Sequence, residues 1–304
     1  MSQPTGIAEL SLPIELAPFV QDRLGDVRVV ADLSWPYEGS EVYRIRDEDG
    51  TDHILKRLID DTFYARETAG YAWASALGRD RAPRLEAADP HLRVVVTTFL
   101  PGVLLKEAYL DPARSAQAYR QVGELLRRLH DSAAPVADSD VIDRLVAQTD
   151  THIERVGAEL DAAQRNCIHR AAQQLATVAA SMPSVPTHGD FWPRNLLIDL
   201  DSGTVAVIDF ERAALAPAVR DLVRLETGVF TRSPAARDAF YTGYGRDLMP
   251  VEATALRAWA VLDALSALAW ALAHNDTHLL EHARRILSSD DSARQDGRHP
   301  EAAL

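Results

Sequence analysis

Residues 188–195 read HGDFWPRN, and after a short apolar run and a turn the chain continues VIDF at 207–210. Around Asp201-Ser202-Gly203 the stretches 195–199 and 204–208 form a hairpin pattern, so both segments are carried on strand ends. The pair sets Asp190 and Asn195 with four residues between them and places Asp209 at the end of the next strand. An acid, then an amide, then a second acid in this order supplies what phosphoryl transfer needs: a base for the acceptor hydroxyl and two oxygen ligands for a metal ion. Asp190 is the candidate base, and Asn195 and Asp209 are the candidate ligands. An all-oxygen set suits Mg²⁺ better than zinc. A single Asp in a loop reads better as a turn or cap residue, but three residues in the right order and spacing reverse that preference.

The segment ahead of this pair has a different pattern. Residues 26–33 read as a strand, 41–46 and 52–58 alternate around the turn Asp47-Glu48-Asp49-Gly50, 61–77 have helical spacing, and 92–99 form a strong strand. Lys56 lies in the apolar strand segment HILK, where an inward charge is costly unless it meets phosphates and a carboxylate. Glu67, the one acid between Asp61 and Asp80, is positioned on the following helix to be that carboxylate. The loop between the first two strands offers Gly39 and Ser40 as backbone donors to phosphates, although an ordinary hairpin turn explains its single glycine equally well.

Composition changes at Leu100-Pro101-Gly102, after which amphipathic helices dominate. The expected organisation is α+β and bilobal: a β-rich lobe at 1–101 with one main helix, a mostly helical lobe at 102–287, and a flexible polar tail at 288–304. The 304 residues, 47% hydrophobic, are enough for two cores. A net charge of −13 argues against a nucleic-acid partner and favours a cationic small molecule, although solubility alone accounts for it as well. The apolar run 258–273 contains Asp263 and is shorter than the ~20 residues of a membrane span, so a buried helix and no membrane partner are expected. One cysteine and an opening without a basic segment or apolar core point to the cytoplasm.

Taken together, HILKR, ARETAGYAWASAL, VVVTTFLPG, VGELLRRLHD, HGDFWPRNLLID, VIDFERA and VRDLVRLE resemble, in order, the aminoglycoside phosphotransferase and choline kinase-like family, whose fold is similar to that of protein kinases. The resemblance implies that Asp190 is the base, that Asn195 and Asp209 bind Mg²⁺, and that Lys56 with Glu67 orders the phosphates of ATP or GTP. It further implies an interlobe adenine site, with the C=O of Thr98 and the N–H of Leu100 facing the purine and Thr97 lining its pocket. Asp221 would tie down the catalytic loop near His188, with a solvent-facing acid near a helix N-terminus as the equal alternative. Gly189 and Glu211 depart from protein kinases, and no Ala-Pro-Glu segment follows, which disfavours a protein substrate. Trp192 and Arg194 depart from the small-molecule family; Arg194 is positioned either to hold a phosphate oxygen or to pair with a carboxylate.

No acceptor motif is recognisable. On the helix predicted at 251–273, Trp259, Asp263, Ser266 and Trp270 share one face, which suits an ammonium group through ion pairing and cation–π contact. A core-facing tryptophan stripe whose Asp pairs with a neighbouring Arg is the equal alternative. Glu226 is a second candidate cation ligand. The expected function is a kinase for a hydroxyl of a cationic small molecule, an aminoglycoside or another basic antibiotic first and hence a resistance role. Choline, a sugar or an amino alcohol is the metabolic alternative, and a non-catalytic pseudokinase is the alternative of another class.

Overall fold

The computed structural model describes residues 11–35, 39–137, 140–179 and 181–295. It divides into two compact units. The first comprises Met1–Tyr109 with Pro193–Ala213, and the second Leu110–Trp192 with Ala214–Leu304.

The first unit holds a five-stranded antiparallel sheet in the order β1-β2-β3-β5-β4. Its strands are β1 (Val27–Asp32), β2 (Glu41–Asp47), β3 (Asp52–Arg57), β4 (Leu85–Asp89) and β5 (Val94–Thr98). The β2–β3 turn is closed by Asp47, whose carboxylate accepts the Thr51 N–H at 2.8 Å, while Gly50 adopts φ 84°. Helix α1 (Ala17–Leu24) seals one face: Leu16, Phe19 and Val20 pack with Ile45, Leu55, Val94 and Val96. Helix α2 (Asp61–Ala74) starts at Asp60, whose side chain accepts the Phe63 N–H at 2.9 Å.

A second sheet in this unit joins β6 (Val103–Leu104), β8 (Leu196–Ile198) and β9 (Val205–Val207). The pairing of β6 with β8 explains why the unit extends past the composition change at 101 to Tyr109, and why residues 193–213 belong to it although helical segments surround them in sequence.

The second unit is mainly helical: α3 (Pro112–His130), α4 (Asp140–Ala147), α5 (Thr149–Arg155), α6 (Ala162–Ala179), α7 (Pro234–Tyr244), α8 (Pro250–His274) and α9 (Thr277–Gln295). A short ribbon of β7 (Ser184–Thr187) and β10 (Ala214–Pro217) lies among them. Four-residue strands containing proline carry little periodic signal, which is why the sequence did not reveal this ribbon. Helix α7 opens on Ser233-Pro234 and ends at Gly245 in the left-handed region. Gly243 has another role: a Cβ there would collide with the Arg120 backbone, so α3 and α7 cross at backbone contact.

The apolar α8 is long and apolar enough to cross a membrane by length and composition, but 61% of its most apolar window is buried within the protein. It forms the core of this unit with α6 and α9. Helix α9 continues to Gln295, into the stretch expected to be a flexible tail; residues 296–304 lie outside the described residues.

Candidate active site

In the first unit, the inward-facing Lys56 of β3 is 6% exposed. Its ammonium lies 3.2 Å from Glu67 of α2, 2.6 Å from Asp209 and 3.1 Å from Glu211. Burial alone would lower the lysine pKa; the three carboxylates outweigh it and hold the group well above its usual value. Glu67 has no exposed surface and also accepts the Tyr71 hydroxyl at 2.6 Å. Its burial, with Asp209 and Glu211 nearby, raises its pKa to about 7 despite Lys56.

Asp209 follows β9 with φ 70°, a left-handed conformation that a non-glycine residue seldom holds without support. The support is local. The Ile208 N–H donates to the Asn195 C=O at 3.0 Å, and Phe210 is fully buried with its ring 5.4 Å from that of Tyr71. Gly70 of α2 packs so closely on Phe210 that a Cβ there has no room. Asn195 ends a 3₁₀ turn, Pro193–Asn195, which also carries the half-buried Arg194. The backbone bond to Ile208 thus keeps Asn195 beside the strand end that presents Asp209.

Glu211 was noted in the sequence only as a departure from a glycine. It reaches Lys56 and accepts the Ser40 hydroxyl at 3.1 Å. Gly39 is exposed, and the preceding loop residues 36–38 lie outside the described residues. Thr97 is buried on β5. Thr98 ends that strand, accepting the Arg84 N–H on its hydroxyl at 2.9 Å, and Leu100 follows, half-buried.

In the second unit, the segment after β7 carries His188, Gly189 and Asp190. Asp221, in a 3₁₀ turn after β10, accepts the N–H of His188 at 2.8 Å and that of Gly189 at 2.6 Å. The Asp190 N–H donates to His188 Nδ1 at 3.2 Å. Behind Asp221 stands His130, at the end of α3: Nε2 is 3.1 Å from Asp221 Oδ2, and Nδ1 is 2.9 Å from the Tyr244 hydroxyl. A ring that donates from Nε2 and accepts at Nδ1 satisfies both partners. Burial alone would raise the Asp221 pKa; the His130 hydrogen bond and neighbouring positive charge bring it below the usual carboxylate value. His130 and Tyr244 lay in the sequence without a recognisable signal, because the residues they meet are about ninety or more positions away.

The side chain of Asp190 is 4% exposed and accepts a hydrogen bond from Arg224. The same guanidinium forks onto Asp263 of α8, Nε to Oδ2 at 3.3 Å and Nη2 to Oδ1 at 3.2 Å, and stands 5.4 Å from the centroid of the Trp192 ring. On the face where the sequence left an ammonium site and an Arg-paired tryptophan stripe equally open, the acid is paired within the protein. Asp263 pairs with Arg224, Trp259 is 5% exposed in the core, and Trp270 stacks on His274 at 4.2 Å. Glu226 accepts Arg237 Nε at 3.0 Å and the Tyr241 hydroxyl at 2.6 Å.

Residues 37–253, more than half of the chain, match the model of the phosphotransferase enzyme family (APH). The chain belongs to this family. No curated protein matches at a significant level. Among solved structures, an APH(2") enzyme bound to GDP and kanamycin is 16% identical, with a TM-score of 0.64 over 92% of this chain and 99% of that one. The macrolide 2'-phosphotransferase MphH from Brachybacterium faecium is 20% identical, with a TM-score of 0.58 over 91% and 98%. A ternary complex of the aminoglycoside phosphotransferase APH(4)-Ia with AMP-PNP and hygromycin B is 17% identical, with a TM-score of 0.64 over 90% and 96%. The likeness to these structures shows the fold, α+β and kinase-like as the sequence led us to expect.

Proposed function

We propose that this phosphotransferase moves the terminal phosphoryl group of ATP or GTP to a hydroxyl of a small molecule. The carrying observation is the Lys56 cluster, in which one buried ammonium faces three carboxylates. With Glu67 raised to about 7, the cluster carries between one and two negative charges in excess, which fits a divalent cation. Among the described residues no three His, Cys, Asp or Glu side chains form a ready metal cage. That agrees with Mg²⁺, which binds through one or two carboxylates and completes its shell with water and phosphate oxygens. Asp209 and Asn195 would hold it, with Glu211 beside them, and when bound it would screen the phosphate charge.

Lys56, freed from Asp209, would bind the nucleotide phosphates while Glu67 fixes its position. Ser40, Gly39 and the end of β5 at Thr97, Thr98 and Leu100 would contact the nucleotide, and Arg194 would offer a planar donor to phosphate oxygens. Asp190 accepts the proton of the acceptor hydroxyl as its oxygen bonds to the terminal phosphorus. The bond from that phosphorus to the bridging oxygen breaks, and the nucleoside diphosphate leaves. Asp221 and His188 hold the loop that presents Asp190.

The kanamycin and hygromycin B of the structural relatives, together with the charge of −13, support a basic antibiotic as the first acceptor. A second reading, a neutral alcohol such as a sugar, is favoured by the arginines already paired with Asp263 and Glu226. A nucleoside diphosphate release screen over basic antibiotics and metabolic alcohols tests the proposal, with Asp190→Ala as the control. Turnover in that variant equal to wild type would sink the mechanism. Loss of turnover with nucleotide binding retained is the expected result.

A further inference from the structure

We infer that Arg224 is a resident cation that positions Asp190 and selects an acceptor carrying no positive charge next to its reacting hydroxyl. The inference rests on the assignment of Asp190 as the base. Arg224 bonds Asp190 with one arm and holds Asp263 with a two-point fork, and its guanidinium faces the Trp192 ring. Three contacts of different kinds converge on one side chain that is itself 21% exposed. A planar fork is pre-organised for this geometry, whereas a flexible ammonium is a point charge.

The backbone around Arg224 is specialised too. It is the residue before a π-helical turn, Leu225–Val229, in which the Phe230 N–H reaches the Leu225 C=O at 2.9 Å. Single π turns insert one residue into a helix and occur often at functional sites. The turn carries Glu226, whose carboxylate is compensated by Arg237 through a single Nε shared by both of its oxygens.

The electrostatic consequence follows from these contacts. An ammonium brought beside Asp190 meets an existing positive charge and must either bear like-charge repulsion or displace a guanidinium from two carboxylates and an aromatic face. A neutral hydroxyl compound meets neither cost.

The test compares pairs of sugars and amino sugars that differ by one hydroxyl replaced with an ammonium. Ratios of kcat/KM are read from nucleoside diphosphate release, and ratios of Kd from calorimetry with a non-hydrolysable nucleotide, so that the comparison does not depend on turnover. Wild type is expected to favour the neutral member. Arg224→Gln should move both ratios toward the amine by about tenfold or more. Arg224→Lys should retain the sign of the preference while lowering kcat, and Asp263→Asn, which removes a negative charge and leaves the guanidinium on Asp190, should move the ratios further toward the neutral member. Added guanidinium ion should restore the wild-type preference in Arg224→Gln, which a purely structural defect would not allow.

A wild-type preference for the amine, unchanged ratios in Arg224→Gln, or failure of both members of every pair to bind overturns the inference. Wild-type turnover in Asp190→Ala overturns instead the assignment of the base, so the two failures are distinguishable.

Discussion

Lys56 in the first unit and Arg224 in the second are both cations enclosed by carboxylates, yet they are held differently. Lys56 is a flexible point charge touching Glu67, Asp209 and Glu211. Arg224 is a fork locked on Asp190 and Asp263. The first cluster sets three carboxylates against one ammonium that can rotate among them; the second sets two carboxylates against one guanidinium that bonds both at once. The proposed metal and phosphate site draws on the larger excess of carboxylates at Lys56, whereas at Arg224 the excess is a single acid.

Removing each cation gives the sharpest contrast. Lys56→Met leaves Glu67, Asp209 and Glu211 repelling one another around a largely buried position and removes the proposed phosphate ligand. We expect kcat/KM for the nucleotide to fall by on the order of 10²–10³-fold. Lys56→Arg should recover little of it, because a fork would settle on two of the carboxylates and stay there. Steady-state kinetics at varied nucleotide concentration checks both. Near-normal kcat/KM in Lys56→Arg would break the distinction between an exchanging and a locked cation.

Asp221 is the next largest expected effect. It is a buried carboxylate satisfied by two backbone N–H groups and His130. Asp221→Ala strands all three donors and should cost about 3–5 kcal/mol, read by urea unfolding, with the loss of Asp190 positioning as a fall in kcat in the molecules that remain folded. An effect below ~1 kcal/mol would mean that the loop is held by other contacts.

The two clusters also differ in how much of them the sequence disclosed. Lys56, Glu67, Asp190, Asn195 and Asp209 could be named because each sits at a telling place: a charge in an apolar strand, a lone acid on a helix, or fixed positions about a hairpin. Arg224 lies in VRDLVRLE beside Asp221, and nothing local marks an arginine that meets residues 34 positions before it and 39 after it. Glu211 read only as a departure from glycine, since its contact with Lys56 depends on the turn that Asp209 makes at positive φ. Spacing along a chain reports what a strand end or helix face presents. Charge compensation across a fold is absent from it, and so the tryptophan face of α8 looked open to an ammonium that Arg224 makes unnecessary.

Glu67 links the first cluster to pH. In the nucleotide-free protein its pKa is raised to about 7, against 4.5 for an ordinary glutamate. A carboxyl raised on folding takes up a proton in the native state before the unfolded one. Its stabilising contribution is complete below about pH 4.5 and is lost as pH rises through 7. Between pH 8 and pH 5 wild type should therefore gain up to about 3 kcal/mol more stability than Glu67→Gln gains. Unfolding of both proteins at the two pH values measures the difference. Equal gains would show that Lys56 keeps Glu67 ionised throughout, and the surplus charge of the cluster would then have to be relieved elsewhere.

The smallest predicted effect tests whether that surplus serves the metal. Glu211 contacts Lys56 and Ser40, and unlike Glu67 it is partly open to solvent, with 24% of its side chain exposed. Replacing it with Gln keeps the shape and the Ser40 partner but removes one of the two carboxylates on the Asp209 side of the ammonium. The Mg²⁺ concentration for half-maximal nucleotide turnover should rise by about tenfold, the range expected when a carboxylate beside a metal is neutralised, with kcat at saturating Mg²⁺ changed little. Asp209→Asn should instead lose kcat at every Mg²⁺ concentration. If Glu211→Gln left the Mg²⁺ requirement unchanged while raising the KM for nucleotide alone, Glu211 would belong to the control of Lys56 and Ser40, and the excess charge at Lys56 would be smaller in effect than the count of carboxylates suggests.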